Sequence, residues 1–262
     1  MKKILLTIII ILAGIFIYSG LEAPPAEESE ESMEGGEMTD DFEAELAIII
    51  DDLGYNPELN EKLLEINQPL TVAILPSLKD TRRAIDDFRF RDNFELLLHI
   101  PMEPLGEEHL EDEMLLTNHS KEEMEVIFNR FLNEMNGQVA GLNNHKGSKF
   151  TSDEEKMREF LELVKEKNLF FVDSYTINTS VGYDLAKEMS IPTAKRDVFL
   201  DYVDDKEAIR ERLHEVVSLA LENGSAIAIG HHKEKTLEVL SEELPELEEK
   251  GVRLVKVSEL LD

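Results

Sequence analysis

The sequence of 262 residues contains no cysteine. A chain without thiols forms no disulfide, holds no zinc through Cys ligands and has no thiol nucleophile. It also offers no cysteine for lipid attachment, which excludes a lipoprotein. The absence of cysteine leaves the redox compartment of the protein open.

Basic residues are scarce, with 27 Lys and Arg against 57 Asp and Glu and a formal net charge of -30. This balance argues against a nucleic-acid partner, whose phosphates require clustered Lys and Arg. Much of the acidic excess lies in residues 22–45, which contain eleven Asp or Glu, two Pro, two Gly and no basic residue. Such a segment cannot bury enough apolar surface to fold. We interpret it as a disordered acidic linker, with a metal-binding acidic tail as the alternative.

The N-terminal residues 1–21 indicate where in the cell the rest of the chain is located. Lys2 and Lys3 precede fifteen almost wholly apolar residues, Ile4 to Tyr18, which is typical of an export signal or a short membrane anchor. A bilayer span requires about 20 apolar residues, and there is no clear A-x-A cleavage site, so both interpretations stay open. Either one places the rest of the chain outside the cytoplasm: secreted, periplasmic or membrane-anchored facing outward. Contact with a membrane is expected only through this segment, if it is uncleaved.

Residues 46–262 alternate short apolar runs with longer amphipathic segments. Continuous apolar runs are typical of parallel strands covered on both faces. The runs span residues 46–50, 70–75, 95–100, 139–142, 169–172, 198–200, 225–230 and 252–257. Residues 124–135 carry a helical apolar stripe, and helices are also predicted around 153–167, 204–222 and 234–249. Ser120 with Glu123 predicts a capping box, and Gly224 follows a helix end.

The repeated βα pattern predicts an α/β domain, either a barrel or a doubly wound sheet. A doubly wound sheet would need a glycine-rich phosphate loop after its first strand, and the DDLGYN stretch at residues 51–56 is not one. A barrel of seven or eight strands is therefore favoured.

Polar residues collect where the predicted strands end. In a βα barrel these ends lie on the face that carries the active site, so the clustering predicts an enzyme. The residues at these ends include Asp51, Asp52, His99, Asn143, Asn144, His145, Asp173, Arg196, Asp197, Asp201, His231 and His232.

The residue types at these ends suit metal-assisted hydrolysis. Imidazole nitrogen and carboxylate oxygen are the usual ligands of a catalytic zinc, and one Asp of the first run with histidines near the third and fourth runs could supply them. The companion Asp could then take a proton from the metal-activated water. Three alternatives stay open: Asp51-Asp52 as a helix N-cap, His99 as a hydrogen-bonded core histidine, and Asn143-Asn144 as turn residues.

Seven motifs give a resemblance to a known family. They are IIIDDLGYN, LTVAILP, LLHIPMEP, GLNNHKGSKFTS, FFVDSYT, KRDVFLD and AIAIGH, in this order between residues 48 and 231. Over about residues 45–262 the chain resembles the divergent polysaccharide deacetylases, a branch of the NodB-homology carbohydrate esterases. The resemblance implies a distorted (β/α) barrel of seven or eight strands. It also implies a divalent metal, zinc by preference, and a polysaccharide or oligosaccharide substrate that loses acetyl groups from N-acetylated sugars.

The resemblance also implies residue roles: Asp51 as general base, His231 as general acid, Asp52, His99 and His145 as metal ligands, and Arg196 and Asp173 as supporting residues that orient the base and the acid. The wider NodB pattern has a second histidine where this chain has Glu103. We expect His145 to replace it, because two prolines frame Glu103 and restrict its reach. His232 stands where the branch usually has Pro, and we expect a surface residue rather than a second proton donor.

Two other functions compete with deacetylation. A metal-free glycosidase could use paired carboxylates, but adjacent side chains of a strand should point to different sides, so Asp51 and Asp52 should not flank a bond. A non-catalytic glycan-binding or envelope-organising protein with a vestigial site is the stronger alternative. The sugar, the acyl group, the metal and the oligomeric state stay open.

Overall fold

A computed structural model describes residues 42–106 and 111–262. The predicted signal or anchor and most of the predicted linker lie outside these residues. The linker boundary is corrected, because Ala44 and Glu45 already belong to the first strand, where Ala44 is buried and pairs with Val252. In the described part of the chain, no helix has both the length and the apolarity that a membrane span requires.

All strand pairs in the described sheet are parallel. The strands are β1 (Ala44–Leu53), β2 (Leu70–Ile74), β3 (Phe94–Met102), β4 (Gly141–Lys146), β5 (Phe170–Asp173), β6 (Thr193–Lys195), β7 (Val198–Phe199), β8 (Ser225–His231) and β9 (Val252–Val255). Their order is β6-β5-β4-β3-β2-β1-β8-β7, and β9 pairs with the first half of β1. The sheet curls into a half-barrel, which confirms the predicted distorted barrel. Strand β6 was not predicted, because its residues Thr193-Ala194-Lys195 do not form a continuous apolar run.

Seven α-helices connect the described strands. They are α1 (Asn60–Leu64), α2 (Thr81–Phe88), α3 (Lys121–Glu134), α4 (Glu154–Glu166), α5 (Gly182–Glu188), α6 (Lys206–Asn223) and α7 (Glu234–Glu243). The four predicted helices are present, and the short α1, α2 and α5 were missed. The capping box at Ser120 is confirmed, and so is the left-handed Gly224 after α6. Helix α7 ends earlier than predicted, where Pro245 opens a short 3-10 turn, because proline lacks the N–H that an α-helix needs.

The strands separate two apolar layers, and this separation positions the site. Along β1, Leu46, Ile48 and Ile50 pack in the large core that includes the helices. Ala47 and Ile49 alternate with them and face a smaller interior cluster formed mainly by strand residues. The inward stripe is apolar along most of the sheet and turns polar at the carboxyl ends of the strands.

Candidate active site

The end of β1 brings both of its aspartates into the barrel. Asp51 continues the inward stripe of Ala47 and Ile49 and is buried. In a regular strand Asp52 would face the helices, but its φ is +67° and the strand register shifts between Ile50 and Leu53. This left-handed conformation, which costs a non-glycine residue about 1 kcal/mol, turns the carboxylate of Asp52 inward.

The prediction that Asp51 and Asp52 point to different sides is therefore wrong. Both carboxylates approach the same nitrogen, Nε2 of His99, which lies 3.6 Å from Oδ2 of Asp51 and 3.4 Å from Oδ1 of Asp52. Neither aspartate caps a helix, because both lie in β1 and the first helical turn after them is preceded by Asn56.

Two histidines complete the group around Asp52. His99 on β3 and His145 on β4 both face inward at the ends of adjacent strands. Nδ1 of His145 lies 3.1 Å from Nε2 of His99 and 3.1 Å from Oδ1 of Asp52. Asp52, His99 and His145 each offer one ligand atom, and these atoms all lie within 4.8 Å of one another.

This group fits a divalent metal ion. Oδ1 of Asp52 is buried and makes no hydrogen bond within the described chain, although two imidazole nitrogens lie close to it. An orphaned carboxylate oxygen between two imidazoles is explained by an ion that all three side chains share. One carboxylate oxygen and two imidazole nitrogens suit zinc and other divalent transition metals.

The cluster is strongly polarised. Burial alone would raise the pKa of Asp52, but the contacts with His145 and His99 outweigh it and hold the pKa well below its usual range. Burial would lower the pKa of His145, yet Asp52 and Glu111 raise it to about 9. Burial raises the pKa of Asp51, because its carboxylate is largely removed from water. Asp52 is therefore the firmly ionised carboxylate of the pair, and Asp51 is the more basic one.

Asn143 connects His99 with Asp51. It lies on β4 rather than in a turn, is fully buried, and pairs in register with His99. Its Oδ1 lies 2.8 Å from Nδ1 of His99, and its Nδ2 donates to Oδ1 of Asp51 at 2.8 Å. Sequence reasoning gave Asn143 no site role. The signal that could have found it is its spacing of two residues from His145, which places both side chains on one face of the strand.

His231 lies at the end of β8, and Asp201 holds it. Nε2 of His231 is 3.9 Å from Oδ2 of Asp52, and its Nδ1 is 2.8 Å from Oδ1 of Asp201. Asp201 also accepts hydrogen bonds from the backbone N–H of His231 and from Oγ1 of Thr236. Burial would lower the pKa of His231, but Asp201 raises it overall. Asp201 follows the sixth apolar run, and its position in the sequence alone predicts no role for it.

Asp173 contacts neither Asp51 nor His231 in the described structure. Val172 faces the barrel interior, so Asp173 faces the opposite side, toward α5. Its carboxylate accepts hydrogen bonds from the backbone N–H of Tyr175 (2.8 Å), Oγ of Ser180 (2.7 Å) and the backbone N–H of Tyr183 (3.1 Å). It stabilises the loop after β5, and the carboxylate that orients His231 is Asp201.

Arg196 lines the cleft as expected but is held by the backbone. Its Nε donates to the carbonyl oxygen of Ser174 and its Nη2 to that of Tyr175, both at 2.8 Å. Its guanidinium carbon lies 5.0 Å from the centre of the Phe199 ring. The direct hydrogen bond to Asp51 comes from Asn143 instead.

The structure also places Glu103 and His232, whose roles the sequence left open. Glu103 turns away from the cluster, because it accepts hydrogen bonds from Thr117 and pairs with Lys149 at 2.6 Å. The expectation that His232 is a surface residue is wrong, since only 1% of it is exposed. Its backbone N–H donates to the carbonyl oxygen of Asp51, and burial lowers the pKa of its imidazole.

A cleft of about 790 Å³ is lined by Asp51, Asp52, His99, His145, Arg196 and His231. This volume is within the range of small-molecule sites, about 300–1,000 Å³. Tyr202 and Val203, which follow Asp201 in the chain, are exposed on its wall. The cleft therefore combines a polar floor with a partly apolar rim.

Known proteins resemble this chain in sequence and in fold. The uncharacterized protein YibQ of Escherichia coli strain K12 is 36% identical over 217 residues, which cover 83% of this chain and 67% of that protein. A crystal structure of the uncharacterized protein ATU2773 from Agrobacterium tumefaciens C58 has a TM-score of 0.75 at 25% identity and covers 83% of this chain and 89% of that one.

The fold extends to more distant proteins. BA3943 from Bacillus anthracis, described as a CE4 family pseudoenzyme, has a TM-score of 0.51 at 15% identity and covers 84% of this chain and 66% of that one. The family model described as divergent polysaccharide deacetylase matches residues 48–261, which include every residue of the cluster. The chain therefore belongs to the divergent polysaccharide deacetylase family.

Proposed function

We propose that this protein is a metal-dependent hydrolase that deacetylates an N-acetylated sugar of a cell-envelope or exported polysaccharide, cleaving a non-peptide C–N bond. The observation that carries the proposal is the convergence of Asp52, His99 and His145 within 4.8 Å, with the second carboxylate of Asp51 beside them. Family membership supports the same reaction class.

The ligand set is Asp52, His99 and His145. A divalent cation held there, zinc by preference, would polarise the acyl carbonyl and make a water molecule more acidic. Each ligand presents a defined atom: Oδ1 of Asp52, Nε2 of His99 and Nδ1 of His145. The other ring nitrogen of each histidine is held from outside the cluster. Asn143 contacts Nδ1 of His99, and Glu111 lies 3.3 Å from Nε2 of His145.

Asp51 takes the role of general base. Asn143 occupies its Oδ1, so Oδ2 faces the cluster and accepts a proton from the attacking water. The water oxygen bonds to the acyl carbon, and the amide C–N bond then breaks. A buried carboxylate with a raised pKa is a stronger base than an exposed one.

His231 takes the role of general acid. Asp201 holds its Nδ1, so Nε2 is directed toward the cleft and can donate a proton to the departing sugar nitrogen. Arg196 stands on the cleft wall between backbone carbonyls and adds positive charge near Asp51. The products are acetate and a free amino sugar.

The place of action follows from the predicted N-terminal segment. An export signal or an outward-facing anchor would deliver the domain to the cell envelope, where polysaccharides with N-acetyl groups are exposed. The substrate is therefore proposed to be an extracytoplasmic glycan.

A glycan-binding protein without catalysis is the second candidate. It is favoured by one observation, the fold shared with BA3943, which is itself described as a pseudoenzyme. The glycosidase alternative loses support, because that reaction uses carboxylates alone and would leave His99, which lies 3.6 Å from Asp51 and 3.4 Å from Asp52, without a role.

Acetate release tests the proposal. The full-length chain is incubated with acetylated chitooligosaccharides and peptidoglycan fragments, with zinc, with a chelator, and with zinc restored. The proposal expects acetate release that the chelator stops and zinc restores. Stoichiometric zinc binding together with glycan binding but no acetate release from any substrate would contradict it and support the glycan-binding alternative.

A further inference from the structure

Asn143 uses its whole side-chain amide inside the barrel. Its Oδ1 contacts Nδ1 of His99 at 2.8 Å, and its Nδ2 contacts Oδ1 of Asp51 at 2.8 Å and Oγ of Ser174 at 3.3 Å. The residue is fully buried, so no water competes for these contacts. One oxygen acceptor and both N–H donors are satisfied, which makes this a complete polar network.

The amide has only one orientation that suits both neighbours. If it were flipped, its oxygen would face the carboxylate oxygen of Asp51 at 2.8 Å, and two acceptors would repel each other. With the oxygen toward His99 instead, Nδ1 of His99 must carry a hydrogen. The lone pair of His99 is then on Nε2, the nitrogen that faces Asp52 and His145.

We propose that Asn143 is a positioning residue that couples the metal site to the general base, because one buried amide fixes the ligand tautomer of His99 and the orientation of Asp51. The inference rests on the proposed function, and it adds a residue to which the family resemblance gave no role. The proposal has two halves that can be tested separately. The tautomer of His99 depends on Oδ1 of Asn143, and the orientation of Asp51 depends on Nδ2.

Substitution by aspartate separates the two halves. Asn143→Asp keeps an acceptor oxygen toward Nδ1 of His99, so we expect zinc affinity equal to or tighter than that of the wild type. Its second oxygen faces Oδ1 of Asp51, so the two carboxyl groups must share a proton and Asp51 loses its role as a free base. We expect kcat to fall by about 100-fold or more with KM little changed.

Substitution by alanine removes both halves. Asn143→Ala should weaken zinc binding by about 10-fold to 100-fold, as expected for a residue that orients a ligand, and should also lower kcat. Asn60→Ala is the matched control, because Asn60 is equally buried and donates to Asp87 at 2.7 Å outside the cleft. We expect the control to lose stability and to keep the zinc affinity of the wild type.

A double-mutant cycle on zinc affinity tests the coupling without any activity measurement. Asp51 holds the amide of Asn143 in place, so Asp51→Ala should weaken zinc binding when Asn143 is present. This effect should be at least about fivefold smaller in the Asn143→Ala background, whereas a purely electrostatic effect of Asp51 would be the same in both.

The full-length chain and its variants are compared by zinc competition against a chromogenic chelator and by acetate release, with folding checked by circular dichroism. The positioning role is overturned if folded Asn143→Ala binds zinc as tightly as the wild type, if Asn143→Asp loses zinc affinity as severely as Asn143→Ala or keeps full activity, or if the cycle is additive. If the wild type releases no acetate from any substrate, the proposed function fails, while the zinc measurements still decide the positioning role.

Discussion

The ends of β1 and β5 begin from the same pattern and reach different results. Each strand is an apolar run followed directly by an aspartate. At the end of β1, Asp51 faces inward and the left-handed conformation of Asp52 adds a second carboxylate to the site. At the end of β5, Asp173 faces outward and accepts three hydrogen bonds from the loop that follows it and from the start of α5.

The difference is set by position in the strand alternation rather than by residue type. An aspartate two residues after an inward apolar residue enters the barrel, as Asp51 does after Ile49. An aspartate one residue after an inward position, as Asp173 is after Val172, stabilises the outer layer. Asp52 is the exception, and its positive φ is the backbone cost of placing a second carboxylate on the inner side.

The largest expected effect distinguishes the general base from the structural aspartate. Asp51→Asn should lower the rate of acetate release by about 10²-fold to 10⁴-fold, because the attacking water loses its proton acceptor. Zinc binding should remain, since Asp51 is not one of the three ligands and the new asparagine can still accept a hydrogen bond from Asn143. A folded variant that binds zinc and keeps more than about a tenth of the wild-type rate would contradict the role of Asp51.

The next effect separates the two aspartates by metal binding. Asp52→Ala should weaken zinc affinity by more than about 100-fold, the upper end of the loss expected for partners outside the ligand sphere. Asp173→Asn is the comparison variant and should bind zinc as the wild type does. Isothermal titration calorimetry measures both zinc affinities. Equal zinc affinities in the two variants would contradict the assignment of Asp52, rather than Asp173, to the metal site.

Zinc should also stabilise the folded domain selectively. At a free zinc concentration of about 100 times Kd, the free energy of unfolding should rise by about 2.7 kcal/mol. The rise should persist in Asp173→Asn and disappear in Asp52→Ala. Urea unfolding with and without a chelator gives the values, and a zinc-dependent rise in folded Asp52→Ala would indicate a different site.

The smallest effect concerns stability without zinc. Asp173→Ala leaves two backbone N–H groups and a hydroxyl without their acceptor, so the free energy of unfolding should fall by about 1–3 kcal/mol. Asp51→Asn should lower the free energy of unfolding by less. A neutral amide there replaces a buried carboxylate, and the amide oxygen can still accept the hydrogen bond from Asn143. A greater loss in Asp51→Asn than in Asp173→Ala would reverse the comparison.

The regular parts of the fold were predictable from periodicity. Parallel strands buried on both faces are continuous apolar runs, and helices such as α3 carry an apolar stripe and a capping box. Short elements such as β6 and α1 were missed, because three to five residues are too few for a repeating apolar pattern to be recognised. The start of β1 was placed too late, since Ala44 and Glu45 resemble the acidic linker in composition although they pair with β9.

The site was only partly predictable for a different reason. The identity of Asp51, Asp52, His99, His145 and His231 as cleft residues followed from their position at strand ends and from family motifs. The direction of each side chain depends on alternation and on a backbone irregularity at Asp52, which composition does not report. Residues that act through others carry no distinctive chemistry in the sequence, so the contacts that Asn143 and Asp201 make became visible only in three dimensions.

The most direct test is the position of zinc in a crystal of the zinc-loaded protein, located by anomalous diffraction at the zinc edge. We expect one ion bound by Oδ1 of Asp52, Nε2 of His99 and Nδ1 of His145 at about 2.0–2.2 Å. A zinc ion bound elsewhere, or bound without all three of these side chains, would contradict this expectation.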